Sequence, residues 1–241
     1  MMYGTRFASR EEAGAALARK LANEIFERPV IFALPRGGIP VGLKCAQALK
    51  APLDLLMVRK IGVPWQKELA AAAVVDGETH ELVLNDSVMA MAGLDVSDLE
   101  SEIAEELAEI ERRRKKYLQG RSPIAVKDRS VIIVDDGIAT GTTLRVAIKA
   151  LRKRQPEEIV VAVPVAPADT IESLRSEVDR IFCLAQPEPF YAIGLHYVDF
   201  HPVSDEEVMR LMAQAPTDSG TEDMTIVDKE PEHKPRSRKA G

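Results

Sequence analysis

The sequence predicts an α/β protein built on a doubly wound, mainly parallel sheet flanked by helices. Three observations carry that expectation. Short runs such as Val30-Ile31-Phe32-Ala33-Leu34 and Val131-Ile132-Ile133-Val134 are continuously apolar, as in strands buried on both faces. These runs alternate with stretches of helical period, the order that yields parallel strands joined by crossover helices. Twice a strand runs into a glycine loop that opens a helix, at Pro35-Arg36-Gly37-Gly38 and between Asp135 and Thr142. The chain of 241 residues has room for one such domain, assigned to residues 1–215. Residues 216–241 lack periodicity and read as a disordered tail.

Each element follows from its own pattern. After Ser9, a candidate N-cap, the residues Ala13, Leu17, Leu21 and Ile25 recur at intervals of four, predicting an amphipathic helix to about residue 27. Residues 30–34 form the next strand, and a helix is expected over about 40–49. Residues 53–58 read as a third strand. Arg59 to Glu68, with long polar side chains around Gly62 and Pro64, reads as a mobile loop able to close over an anion, with Lys60 and Lys67 as its charges and Trp65 as a cover. Asp76-Gly77 joins 70–75 and 81–84 as a hairpin. A long helix over 97–117 is acidic at its start and ends on Arg112-Arg113-Arg114-Lys115-Lys116, cations that complement the helix dipole. Strand 131–134, a helix over 142–154, strand 158–163, a helix near 169–176 and strand 180–184 complete the alternation. Residues 186–203 are irregular and rich in aromatic side chains. Ser204 is suited to cap a last helix to about residue 214.

Composition narrows the function. A net charge of −6 and a pI near 5.4 leave no basic footprint for nucleic acid, and the basic run at 112–116 does not alter that. Cys45 and Cys183 are too few for a disulfide framework or a metal site, which fits the reducing cytoplasm. No stretch approaches about 18 continuous apolar residues, so no membrane span is expected.

The chemistry concentrates in Val131-Ile132-Ile133-Val134-Asp135-Asp136-Gly137-Ile138-Ala139-Thr140-Gly141-Thr142-Thr143-Leu144. Glycines let backbone approach a ligand, threonine hydroxyls line the loop, and the first N–H groups of the following helix lack intrahelical partners, an arrangement suited to phosphate. Asp135 and Asp136 are placed to accept hydrogen bonds from vicinal sugar hydroxyls or to bind Mg²⁺ through water. A P-loop does not fit, because Gly141 is followed by Thr142 and not by lysine. In the earlier loop, Arg36 has the fork geometry to grip a pyrophosphate beside glycine N–H groups.

Strand, two acids, three residues and Thr-Gly-x-Thr resemble the phosphoribosyl pyrophosphate (PRPP) signature of type I phosphoribosyltransferases. The Arg-Gly-Gly loop resembles that family's pyrophosphate loop, and Val58-Arg59-Lys60-Ile61-Gly62 resembles a little-studied bacterial branch of it. The resemblance implies transfer of 5-phosphoribosyl from PRPP to a nitrogenous acceptor, or the reverse, with release of pyrophosphate, Mg²⁺ as cofactor and a place in nucleotide salvage. It assigns Asp135 and Asp136 to ribose hydroxyls and metal, with Lys60 on the lid as a further catalytic residue. It gives Arg36, Gly37 and Gly38 to pyrophosphate and Ala139, Thr140, Gly141, Thr142 and Thr143 to the 5′-phosphate. It adds to the doubly wound sheet a small C-terminal hood at about residues 186–203, and gives Tyr197, Asp199 and Phe200 of that hood to the acceptor base. It further implies a cis peptide at Pro35–Arg36 and homodimerisation. Two rivals stand beside it: a PRPP- or nucleotide-sensing regulator on the same fold without turnover, and a phosphoester hydrolase of another α/β type.

Overall fold

The computed structural model describes residues 6–218. Helix α1 (Arg10–Leu21) starts at Ser9, whose Oγ accepts a hydrogen bond from the Glu12 N–H, and buries Ala13, Leu17 and Leu21. It stops short of the expected residue 27, and Ile25 is 91% exposed. A spacing of four marks a helical face only while the chain still has something to pack on. Strand β1 (Val30–Ala33), helix α2 (Gly38–Leu49) and strand β2 (Leu53–Leu55) follow.

The stretch expected as a mobile loop is instead a β-hairpin. Strand β3 (Val58–Val63) turns at Pro64-Trp65 into β4 (Gln66–Val75), and β5 (Glu81–Leu84) completes an antiparallel sheet in the order β3-β4-β5. The sign in the sequence was the alternation of buried Ile61 and Val63 with exposed Lys60. The register shifts at Gly62, where a side chain would overlap the Lys67 carbonyl. Helix α3 (Asp86–Ala92) has no counterpart in the periodicity, whereas α4 (Glu100–Leu118) has.

Strand β6 (Ser130–Val134), helix α5 (Thr142–Lys153), strand β7 (Glu158–Val165), helix α6 (Ala168–Leu174), strand β8 (Arg180–Ala185) and helix α7 (Asp205–Met212) complete the chain. The main sheet is parallel throughout, in the order β2-β1-β6-β7-β8. Alternate residues serve opposite faces. Ile31, Ala33, Ile132 and Val134 meet α1, α2 and α7, while Val30, Phe32, Val131 and Ile133 meet α5 and α6. Two-sided burial is the reason these strands are almost uninterrupted hydrocarbon.

The basic run at the end of α4 does more than balance a dipole. Arg114, half-buried, lies between two buried acids, donating to Asp76 Oδ2 at 2.7 Å and to Asp54 Oδ1 at 3.2 Å, which ties α4 to both sheets. Lys116 and Tyr117 both donate to Asp205 at 2.6 Å, joining α4 to α7. Pro216 and Asp218, within the expected tail, are docked: the Pro216 carbonyl accepts from the Leu53 N–H, and Asp218 pairs with Arg129 at 2.8 Å. The rest of that tail, 219–241, lies outside the described residues.

Candidate functional site

The strand order locates the site. From β1 the chain winds one way to β2, and from β6 the other way to β7 and β8, so a crevice opens beyond the C-terminal ends of β1 and β6. The two glycine loops issue from those two ends. Leu34 N–H donates to the Val134 carbonyl at 2.9 Å, keeping the strands together until the loops begin, and the Pro35–Arg36 peptide is cis.

The loops touch. A methyl group at Gly37 would overlap Asp136 Oδ2, and one at Gly38 would stand 2.7 Å from the Val134 carbonyl oxygen. Neither position has room for a side chain. Arg36 is exposed, its guanidinium 3.5 Å from Asp205 Oδ1 at the start of α7. Asp205 is held at a pKa of about 2, chiefly by its hydrogen bonds from Lys116 and Tyr117.

In the second loop, Gly141 takes the left-handed conformation (φ 72°) as the cap of α5, and Thr142 and Thr143 stand in the first turn, Thr143 exposed. A cavity of about 200 Å³ is lined by Asp135, Gly137, the segment 138–144, Leu34 and Ile193. The hydroxyls of Thr140 and Thr142 face each other at 3.1 Å, and Thr170 Oγ1 secures the loop by donating to the Ala139 carbonyl at 2.9 Å. A methyl group at Gly137 would meet Ile193 of the hood at 2.7 Å, so the hood rests directly on the phosphate-type loop.

The paired acids have unlike surroundings. Asp135 Oδ1 accepts from the Asp136 N–H at 2.8 Å, and its carboxyl is pushed well above the ordinary range by burial and then by the neighbouring Asp136. Asp136 is 7% exposed; burial raises it too, but Arg10 Nε donates to its Oδ2 at 2.7 Å and opposes the rise. Arg10 also donates to the His201 carbonyl at 2.8 Å and stacks on the Phe200 ring, 3.9 Å from its centroid. Nothing in the sequence distinguished Arg10 from any charge on an amphipathic helix. Ile193 likewise gave no signal.

The hood corrects the assignment of Tyr197. Its ring is 1% exposed between Phe7 and Phe200, and its hydroxyl donates to the Asp136 carbonyl at 2.6 Å. It therefore braces the acidic strand end and presents no face to an acceptor. Aromatic rings of a short segment bury area most readily against one another, and Phe190 and His196 also stack, at 5.3 Å. Phe200 lies between Tyr197 and Arg10, while Asp199 points outward and pairs with His201 Nδ1 at 2.8 Å. Lys60 is on β3, away from the paired acids, and borders a larger cavity of about 440 Å³ that reaches Thr142 and Lys149.

Among the described residues no group of three or more His, Cys, Asp or Glu side chains is arranged to hold a metal, and no helix is long and apolar enough to cross a membrane.

Comparison with known proteins agrees with this architecture. TT1426 from Thermus thermophilus, a solved structure, superposes with a TM-score of 0.76 at 38% identity, covering 88% of this chain and 99% of that one. A Mycobacterium tuberculosis protein named "Putative phosphoribosyl transferase" is 40% identical over 212 residues, 88% of this chain and 47% of that protein. The chain thus spans about half the length of the curated relatives it matches. The phosphoribosyl transferase domain model matches residues 9–199, a range that takes in both glycine loops, the paired acids and most of the hood, and by that match the chain belongs to the phosphoribosyl transferase domain family.

Proposed function

We propose that this site transfers a 5-phosphoribosyl group from PRPP to a nitrogenous base, or runs the reverse reaction, with release of pyrophosphate, in nucleotide salvage. One observation carries the reading: two anion-suited glycine loops meet across the switch point, with a carboxylate between them. A ligand with phosphate at one end, hydroxyls in the middle and pyrophosphate at the other matches that order. The 5′-phosphate takes the Ala139–Thr143 loop and the unpartnered N–H groups that open α5. Pyrophosphate takes Arg36 and the Gly37-Gly38 backbone, for which Arg36 leaves its loose contact with Asp205.

As pyrophosphate departs, the anomeric carbon becomes cation-like, and a nearby carboxylate stabilises that charge without forming a bond. The work of the chain is positioning. Asp135 is the oxygen donor in the cavity suited to a hard cation, directly or through water. Held there, Mg²⁺ would supply charge neutralisation for the departing pyrophosphate. The acceptor would lie under Ile193, where the hood overhangs the phosphate loop. Lys60 and the 440 Å³ cavity stand on the other side of Thr142, suited to an approach by the hairpin.

Calorimetry with PRPP and Mg²⁺, followed by a pyrophosphate-release screen over purines, pyrimidines and nicotinate-like acids, tests this. Tight PRPP binding and release with one acceptor class are expected. No PRPP binding would sink the proposal, and binding without release for every acceptor would leave a sensor of PRPP in place of an enzyme.

A further inference from the structure

We propose that the cavity between the hairpin sheet and α5 is a second ligand site, separate from the transfer site and fitted to a nucleoside diphosphate. This goes beyond the phosphoribosyl-transfer reading and does not depend on it. The cavity has a volume of about 440 Å³, the size of a small-molecule pocket, and is walled by β3, β4 and β5 on one side and by α5 on the other.

Charge is the first observation. Lys60 on β3 and Lys149 on α5 border the cavity from its two walls, and Arg145 joins them. The cations around these lysines are held by acids: Arg59 bonds Glu106, Arg145 bonds Glu177, and Lys153 pairs with Glu81 at 3.2 Å. Among the described residues neither Lys60 nor Lys149 has a carboxylate within ion-pair distance, and both are exposed. Asp86 is the one acid on the lining, so positive charge is in excess there, in a chain whose net charge is −6. A concave, partly apolar wall focuses such charge on an anion.

Helical spacing builds the cationic wall. Thr142, Arg145, Val146 and Lys149 recur at intervals of three and four along α5, so they share one face and line the cavity together. The facing wall is small and apolar: Ala70 and Ala72 alternate onto one face of β4, beside Val83 of β5. An inorganic phosphate would leave that hydrocarbon wet, whereas a planar base covers it while the phosphates take the lysines, which bind phosphate as point charges. The place is also distinct. Thr142 is the one residue this cavity shares with that of the 5′-phosphate loop, and neither Asp135 nor the Arg36 loop borders it.

The test is calorimetry with ADP, GDP, CDP and UDP in turn on three proteins: the unaltered chain, Lys149→Glu, and the double variant Arg36→Ala with Thr143→Glu, which closes the transfer site at both loops. All three altered side chains are exposed, so the fold should survive each change. At least one of the nucleotides should bind the unaltered protein and the double variant equally well, and bind Lys149→Glu at least ~10-fold more weakly, the factor for one lost hydrogen bond to a charged group. Thr143→Glu alone serves if the double variant does not melt cooperatively. Binding of none of the four, binding lost when the transfer site is closed, or binding retained in Lys149→Glu overturns the inference. PRPP titrated into the same proteins reports on the transfer site separately, since its binding should fail in the double variant and persist in Lys149→Glu.

Discussion

Arg10→Ala should be among the most damaging single substitutions outside the hydrocarbon core. The guanidinium bonds Asp136 at 2.7 Å and the His201 carbonyl at 2.8 Å, and it covers the Phe200 ring at 3.9 Å. Truncation leaves the Asp136 carboxylate buried against Gly37 with no cation in its place, and breaking a buried pair from one side costs about 3–5 kcal/mol. For a domain of this size each kcal/mol moves the melting temperature by about 2–4 °C, so a fall of about 6–20 °C is expected. The pH dependence gives the cause. Without Arg10, the folded-state pKa of Asp136 rises further above its unfolded value, so the native state holds that proton more tightly. The deficit is therefore smaller at low pH, where the carboxyl takes up its proton, and grows as pH rises through the raised value. Urea denaturation of both proteins at about pH 4.5 and about pH 7.5 measures it. Adding Asp136→Asn to Arg10→Ala should restore part of the loss, a coupling of roughly 0.5–3 kcal/mol in a double-mutant cycle. A cost below about 1 kcal/mol at the higher pH, or the same cost at both pH values, would refute the reasoning, since an unpaired buried charge must show both effects.

Three further outcomes are expected. Gly37→Ala places a methyl group on top of Asp136 Oδ2, so one loop must move; overpacking of this kind costs about 1–3 kcal/mol, and the urea midpoint should fall accordingly. Tyr197→Phe removes the donor to the Asp136 carbonyl at 2.6 Å and leaves that oxygen buried, for a loss of about 1–3 kcal/mol in the same assay; an unchanged midpoint would show that the hood does not brace the strand end. Asp76, fully buried, is raised from 3.8 to about 6, first by burial and against the pull of Arg114. Because its folded value lies above its unfolded one, stability from this group is present below about pH 4 and is lost as pH rises through about 6, by up to about 3 kcal/mol. Asp76→Asn should flatten that part of the stability profile, and an unaltered slope between about pH 4 and about pH 6.5 would count against it.

The hydrophobic runs, the glycine loops and the Thr-Gly-Thr-Thr turn were legible in the sequence because each is a local pattern. A strand buried on both faces must be apolar at every position, a loop that approaches a ligand needs small residues, and a helix start needs a particular backbone; none of these depends on a distant partner. On that basis residues 131–144 and 35–38 could be picked out before any fold existed. What those patterns left open was long-range. Ile25 kept the helical spacing of Leu17 and Leu21, but no surface meets it and the helix ends at Leu21. Arg59 to Glu68 looked like a polar loop because the apolar Ile61 and Val63 gain meaning only when β4 pairs with them.

Arg114 sat in a basic run whose end-of-helix position explained it well enough, until Asp54 and Asp76 were found on either side of it, 60 and 38 residues away in the chain. Tyr197 had the composition of a base-stacking residue and is instead a buried brace. The sequence by itself determined the two glycine loops and the apolar strands that carry them. Only the tertiary structure decided that Arg10, 126 residues away, meets Asp136 and gives two adjacent acids unlike surroundings, because charge pairing in a folded chain depends on distance in space and not on separation along the sequence.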